Sequence, residues 1–314
     1  MIGADAFQAL ALRYVRIFLL INTLCYYFDE GNERVNKKLL EWSDSVARHG
    51  LIFAKAAVSK VSPCPFPERE TRIVAGAQRS GTNLLMDVLE RCWEADVYHE
   101  RDPRAFKNYQ MRPLAEIQKL RQRSTFEKFV IKALCESQKL DALLKDLAPA
   151  RAVWVIRHYN DVVNSMTVSF PGTADMLRKI AQDKDAGGWR TEGMSAALYS
   201  QVSGLVNDYG DKLDEASACA LQWYFRNALY LEKGFAGHPD IRLLRYEDLV
   251  LKPADTIRSL FDFFTLAYRP SVHCMISPYS VNKRRSPDLL PEVKQLCDGL
   301  WQRFLAVDKA SVIS

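Results

Sequence analysis

The chain has 314 residues, 48% of them apolar and 26% charged, with a formal net charge of +5 at pH 7. That composition belongs to a folded globular protein and excludes a collagenous or intrinsically disordered chain. The mild positive balance falls short of the basic stripes of a nucleic-acid binder and suits a small anionic ligand, so no nucleic-acid partner is expected.

The seven cysteines are scattered, odd in number and free of any CxxC spacing, which reads as reduced thiols in a cytosol-like compartment. The five histidines form no HxxxH or mixed Cys/His cluster, so no metal site is expected. Along the chain, the apolar stretch 7–28 is interrupted by Arg13 and Arg16, and the uncharged run that follows, 17–28, is too short to span a membrane, which takes about 20 residues. It reads as a buried or docking helix, with interfacial membrane contact as the other reading. Helical patterning resumes over 33–60, and Pro63, Pro65 and Pro67 end it. Residues 1–68 are therefore expected to form an N-terminal helical extension, and 69–314 a single α/β domain.

After Pro67 the pattern alternates. Ile73-Val74-Ala75-Gly76-Ala77 is a short apolar run, and Leu84, Leu85, Val88, Leu89 and Cys92 then recur at helical spacing. Further strands are predicted at 96–98, 129–133, 152–156 and 241–244. The helices between them include 216–233, closed by Gly234, another opening at Pro253 and running to about Phe264, and a late one begun near Pro287. Strand and helix in alternation predict a parallel sheet flanked by helices, a P-loop-like nucleotide-binding fold. A polar, glycine-containing stretch over 166–199 breaks the pattern and reads either as a lid or acceptor wall or as a surface loop.

Between the first strand and its helix lies Gly76-Ala77-Gln78-Arg79-Ser80-Gly81-Thr82-Asn83. Backbone N–H groups and a helix N-terminus in such a place can surround a phosphate. The spacing imitates a P-loop, but Thr82 stands where the P-loop lysine belongs, and Arg79 supplies a cation instead. A magnesium-dependent nucleotide hydrolase would also need an acid at the end of a neighbouring strand. The strand Val153-Trp154-Val155-Ile156 ends in Arg157, a cation suited to a second anionic group, and Ser165 follows eight residues later.

Here the sequence resembles the sulfotransferases that use 3′-phosphoadenosine 5′-phosphosulfate (PAPS). Arg79-Ser80-Gly81-Thr82-Asn83-Leu84-Leu85 is similar to the family's 5′-phosphosulfate loop. The segment from Val155 to Ser165 is similar to its 3′-phosphate element, and Leu244-Arg245-Tyr246-Glu247-Asp248-Leu249 to its RYEDL segment. The three occur in the family's order over about residues 70–265.

The resemblance implies that 69–314 is a PAPS-dependent sulfotransferase domain. It implies that Arg79, Ser80, Gly81, Thr82 and Asn83 grip the 5′-phosphosulfate and that Arg157 and Ser165 grip the 3′-phosphate. Lys283, Arg284 and Arg285 are then candidates for a loop closing over the donor, or else a solvated charge run. Transfer would be in-line and metal-independent, to an acceptor hydroxyl or amine. Arg79 and Lys132, the latter at the end of a strand, are candidates for stabilising the departing phosphate, or Lys132 is simply a strand-end lysine. Tyr98-His99-Glu100 offers two candidate bases, and Glu100 is placed more like the family's glutamate-type base than His99 is. His158 would assist ligand contact, and Tyr246-Glu247-Asp248 would brace the donor loop. The chain departs from the family's common pattern in having Arg79 for a lysine, no glycine-rich closing motif and a helical start. These departures place it nearer the bacterial or carbohydrate-type branches, with a carbohydrate or other small molecule as acceptor and a cytoplasmic location. A noncatalytic nucleotide binder and a P-loop-like kinase are the alternatives.

Overall fold

The computed structural model describes residues 50, 51, 55 and 68–313, except 274, 275, 278, 280, 282, 284 and 308. The expected N-terminal extension therefore lies almost wholly outside the described residues. Lys55, from its end, donates to the carbonyls of Glu90 and Ala95, both at 2.9 Å.

The core is a six-stranded sheet built from β1 (Glu70–Gly76), β2 (Ala95–Tyr98), β5 (Lys128–Ala133), β6 (Ala150–Ile156), β7 (Ile241–Arg245) and β8 (Val312–Ile313). Every pairing in it is parallel, in the spatial order β2-β5-β1-β6-β7-β8. Parallel strands need covered faces. Alternate residues serve the two sides: Ile73, Ile131, Trp154 and Leu243 join one buried cluster, while Val74, Val130, Val153 and Leu244 join the other.

The second face is packed by α1 (Thr82–Glu90) and α9 (Pro253–Phe264), through Leu85, Met86 and Leu89 on one helix and Ile257, Leu260 and Phe261 on the other. The first face carries α3 (Leu140–Asp146), α4 (Tyr159–Ser169), α5 (Thr173–Gln182), α6 (Ala196–Tyr209), α7 (Glu215–Glu232) and α10 (Pro291–Leu305). The remaining helices are α2 (Leu114–Arg123) and α8 (Tyr246–Leu251). The chain leaves β1 toward β2 on one side and later crosses to β6 on the other. This reversal opens a crevice at the carboxyl ends of β1 and β6, where ligands bind in sheets of this type.

Some boundaries differ from the expected ones. The first strand begins at Glu70, because Glu70, Thr71 and Arg72 pair in register with Lys128, Phe129 and Val130, and it ends at Gly76. The late helix opens at Pro291 rather than near Pro287. Leu290 is held in an extended conformation before the proline, and its N–H is already given to Ser217 Oγ at 3.0 Å. Two elements had no recognised signal. The hairpin of β3 (Phe106–Lys107) and β4 (Gln110–Met111) turns on Asn108 and Tyr109, both at positive φ without glycine. β8 is only two residues long.

The stretch 166–199 is not a surface loop. After α4 ends, α5, a 3-10 segment over Lys184–Arg190 and the start of α6 occupy it, with Leu177, Ile180 and Leu198 in the core. Among the described residues, no helix is long and apolar enough to cross a membrane.

Candidate active site

The loop from Gly76 to Asn83 is shaped by two glycines. Gly76 has φ 141°, and a Cβ there would sit 2.4 Å from the Val155 carbonyl oxygen. Gly81 has φ 94°, and a Cβ there would lie 2.1 Å from Cδ2 of Tyr246. Only glycine fits either place. Tyr246 thus forms the floor under the loop, as the expected bracing requires. Glu247 adds to it by accepting the His158 N–H at 2.9 Å, which fixes the turn after β6.

No side chain caps α1 at Gly81, so the first-turn N–H groups point toward an outside acceptor. Ser80 is fully buried, and its Oγ has no hydrogen-bond partner. A buried hydroxyl without a partner costs about 1–3 kcal/mol, and a phosphate or sulfate oxygen in the loop would restore it. Arg79 adopts a left-handed conformation, φ 64°, which turns its side chain toward α4, and its Nε donates to Ser165 Oγ at 2.8 Å. The two residues expected to grip different ends of one nucleotide are thereby in direct contact.

Arg157 leaves β6 with its backbone carbonyl held by Trp223 Nε1 at 3.0 Å. Its guanidinium lies 4.4 Å from the Tyr246 ring centroid and 3.1 Å from Asp161. Arg79, Arg157, Asn164, Ser165 and Lys283 line one cleft of about 370 Å³. The late loop hangs over it from α4. Asn160 donates to Ser286 Oγ at 2.9 Å, and Asn164 donates to the Arg285 carbonyl at 3.0 Å. Lys283 is therefore brought to the cleft, Arg285 meets it through its backbone, and Arg284 lies outside the described residues.

At the other side of the loop, Lys132 follows Val130 by two residues and shares its face of the sheet, under α1. Its ammonium is 2% exposed, donates to Asn83 Oδ1 at 2.7 Å and pairs with Glu100 at 2.7 Å. Burial pulls the Lys132 pKa down, and the Glu100 carboxylate opposes that pull. The turn after β2 separates the two base candidates. Glu100 faces Lys132 and the donor loop, whereas His99 Nε2 faces Glu90 on α1 at 3.6 Å. Asp87, Glu90 and His99 bring three ligand-type atoms within 4.8 Å of one another, the one such group among the described residues. Asp87 and Glu90 stand one and two turns along α1 from Asn83, on the same face of the helix. His158 has a structural part of its own. It caps α4 by accepting the Asn160 N–H at 3.2 Å and packs on Tyr159 and Trp301.

Several contributors had no recognised signal in the sequence. Gln222 on α7 donates to Gln78 Oε1 at 2.6 Å and so steadies the loop, and Trp223 and Asn160 do the same for the turn and the late loop. Gln78 sits inside the motif itself, but its partner is 144 positions away.

No protein-family model matches this sequence, and no curated protein does. Among solved structures, the chain is similar to the sulfotransferase domain from the Synechococcus PCC 7002 olefin synthase, at 14% identity and a TM-score of 0.49 over 77% of this chain and 98% of that one. It is also similar to the sulfotransferase domain from the curacin biosynthetic pathway, at 14% identity and a TM-score of 0.45 over 74% and 98%. A third likeness is to the sulfotransferase STF9 from Mycobacterium avium, at 11% identity and a TM-score of 0.41 over 100% and 98%. At such identities and scores the likenesses say nothing of chemistry, which rests on the residues of the site.

Proposed function

We propose that this chain transfers a sulfuryl group from PAPS to an acceptor hydroxyl or amine. The observation that carries the reading is the buried, unpartnered Ser80 hydroxyl in an uncapped loop whose Arg79 touches Ser165 beside Arg157 and Lys283. That arrangement suits a ligand with two separate anionic groups. The donor, when bound, supplies the activated sulfuryl group. Ser80, Thr82 and the first N–H groups of α1 bind its 5′ end, and Arg157 with Ser165 binds its 3′-phosphate. Arg79 and Lys132 stabilise charge on the departing phosphate oxygens. Asn83 holds the Lys132 ammonium in place for that role.

Glu100 takes the proton of the acceptor. Its carboxylate is fixed beside the loop by Lys132, so that acceptor and donor meet at one point. The strand position at which a magnesium-dependent nucleotide enzyme would carry an acid is Arg157, which favours transfer without a metal over a kinase. The buried free thiols Cys92, Cys135, Cys219 and Cys297 agree with a reducing compartment, and a cytoplasmic location is part of the proposal.

The test is transfer of labelled sulfate from PAPS to a broad acceptor panel in EDTA, with donor binding measured in parallel. EDTA-resistant transfer that disappears in Arg79→Ala is the expected result. Failure of the native chain to bind PAPS or adenosine 3′,5′-bisphosphate would overturn the reading. Tight binding that survives both Arg79→Ala and Arg157→Ala would overturn the placement of the site.

A further inference from the structure

The wall just past the carboxyl end of β5, the strand that carries Lys132, holds two arginines that have no carboxylate partner among the described residues. The 3-10 segment over Lys184–Arg190 ends on Trp189 and Arg190, and Arg226 of α7 clamps both by donating to their carbonyls at 3.1 and 3.2 Å. The same guanidinium donates to Ser137 Oγ at 2.6 Å and Gln138 Oε1 at 3.0 Å, just beyond the β5 strand that carries Lys132. Arg190 is thereby fixed next to the segment that follows Lys132.

Two cations lie over the Trp189 ring, the Arg190 guanidinium 4.7 Å and the Arg226 guanidinium 5.1 Å from its centroid. Among the described residues, neither has a carboxylate within ion-pair distance, and Arg190 Nε is buried with no hydrogen-bond partner. The nearby Glu192 is engaged with Lys139 at 2.7 Å and Gln138 at 2.9 Å. Burial pulls the Arg190 pKa down. Burial, and then the Glu136 charge, push the Cys135 thiol up to about 12. Glu100 adds to that rise, while Arg226 and Arg190 oppose it.

A half-buried guanidinium without a counter-ion is costly unless a ligand completes it. We propose that Arg190, set on Trp189, is an acceptor subsite for an oxyanion, so that the acceptor carries a carboxylate or phosphate besides the group that is sulfated. The inference rests on the sulfuryl-transfer reading, since it assigns this wall to the acceptor.

The test uses the full chain saturated with adenosine 3′,5′-bisphosphate. It is titrated with 4-hydroxybenzoate, 4-hydroxyphenyl phosphate and neutral 4-hydroxybenzamide, while the Arg190 Nε–Hε resonance is followed by NMR. At least one anionic probe should bind about tenfold or more tightly than the amide and move that resonance, and the better of the two identifies the oxyanion. Arg190→Gln should bring the probes to parity while nucleotide affinity and Tm stay native, and Arg190→Lys should restore part of the preference. Equal binding of all three probes to the native chain, or a preference that survives Arg190→Gln, would overturn the subsite. Failure of the nucleotide to bind would instead strike the donor reading, and the same titration of the nucleotide-free chain would still judge Arg190.

Discussion

Arg72 and Lys132 are buried cations at opposite ends of the same sheet, each 2% exposed. At the amino ends of the strands, Arg72 donates to the Phe264 carbonyl at 2.7 Å, the Thr71 carbonyl at 2.9 Å and Thr265 Oγ1 at 2.7 Å, and it pairs with Glu70. It borders the hollow at that end, but protein acceptors already take up its donors. At the carboxyl ends, Lys132 has Asn83 and Glu100, and around it stand Ser80 without a partner and Arg79 opening on a cleft. Size does not separate the two ends, because the hollow at the amino ends, about 500 Å³, is larger than the donor cleft, about 370 Å³. What separates them is whether the polar groups are already satisfied. A completed hydrogen-bond set marks structure, and an incomplete one beside a cleft marks a ligand.

Substitutions at the two ends should therefore fail differently. The largest loss is expected for Glu100→Gln, with kcat down by about 10²- to 10⁴-fold and donor affinity near native. Arg79→Ala should lower kcat by about 10²- to 10³-fold, since it removes a donor to the departing group. Arg157→Ala should weaken donor binding by about 10- to 100-fold in direct titration, with kcat at saturating donor much less affected.

At the amino end, Arg72→Met should leave donor affinity unchanged and destabilise the fold by about 2–3 kcal/mol in urea unfolding, because it removes one of two donors to the Phe264 carbonyl and uncovers part of the Glu70 charge. The smallest effect is a pH dependence at Glu70. Burial raises its pKa, but the hydrogen bonds from Lys128 and Arg72 outweigh burial and hold it at about 2. The depressed value makes its contribution fully present above the ordinary carboxylate range and lost as pH falls toward about 2. The Tm difference between the native chain and Glu70→Gln should accordingly shrink over that window and stay constant above it. An Arg72→Met variant that loses donor binding, or an Arg157→Ala variant that only loses stability, would dissolve the contrast between the two ends.

The donor side was legible in the sequence because its parts are local. Gly76 to Asn83 carries its own turn chemistry, and Arg157 and Ser165 belong to one strand-to-helix unit. The sheet was legible as alternation, but its order depends on pairings between distant segments, and no single stretch encodes them. The choice between His99 and Glu100 was closed to sequence reasoning for a similar reason. The two are adjacent in the turn after β2, and only their distant partners, Glu90 on α1 for His99 and Lys132 on β5 for Glu100, show which of them meets the loop. The wall with Trp189 and Arg190 read as an irregular stretch because Arg226, 36 positions later, is what orders it.

The Tyr246 ring under Gly81 also sets the order in which the site is built. The two residues are far apart in the chain, and β6 lies between their strands. The loop thus gains the ring beneath it only when β7 docks, later than its own turn can form. A truncated chain ending before Ile241 carries the motif and its glycine turn without the ring that supports them. On the proposed reading such a fragment binds the donor less well than the full chain, so donor affinity reports completion of the sheet.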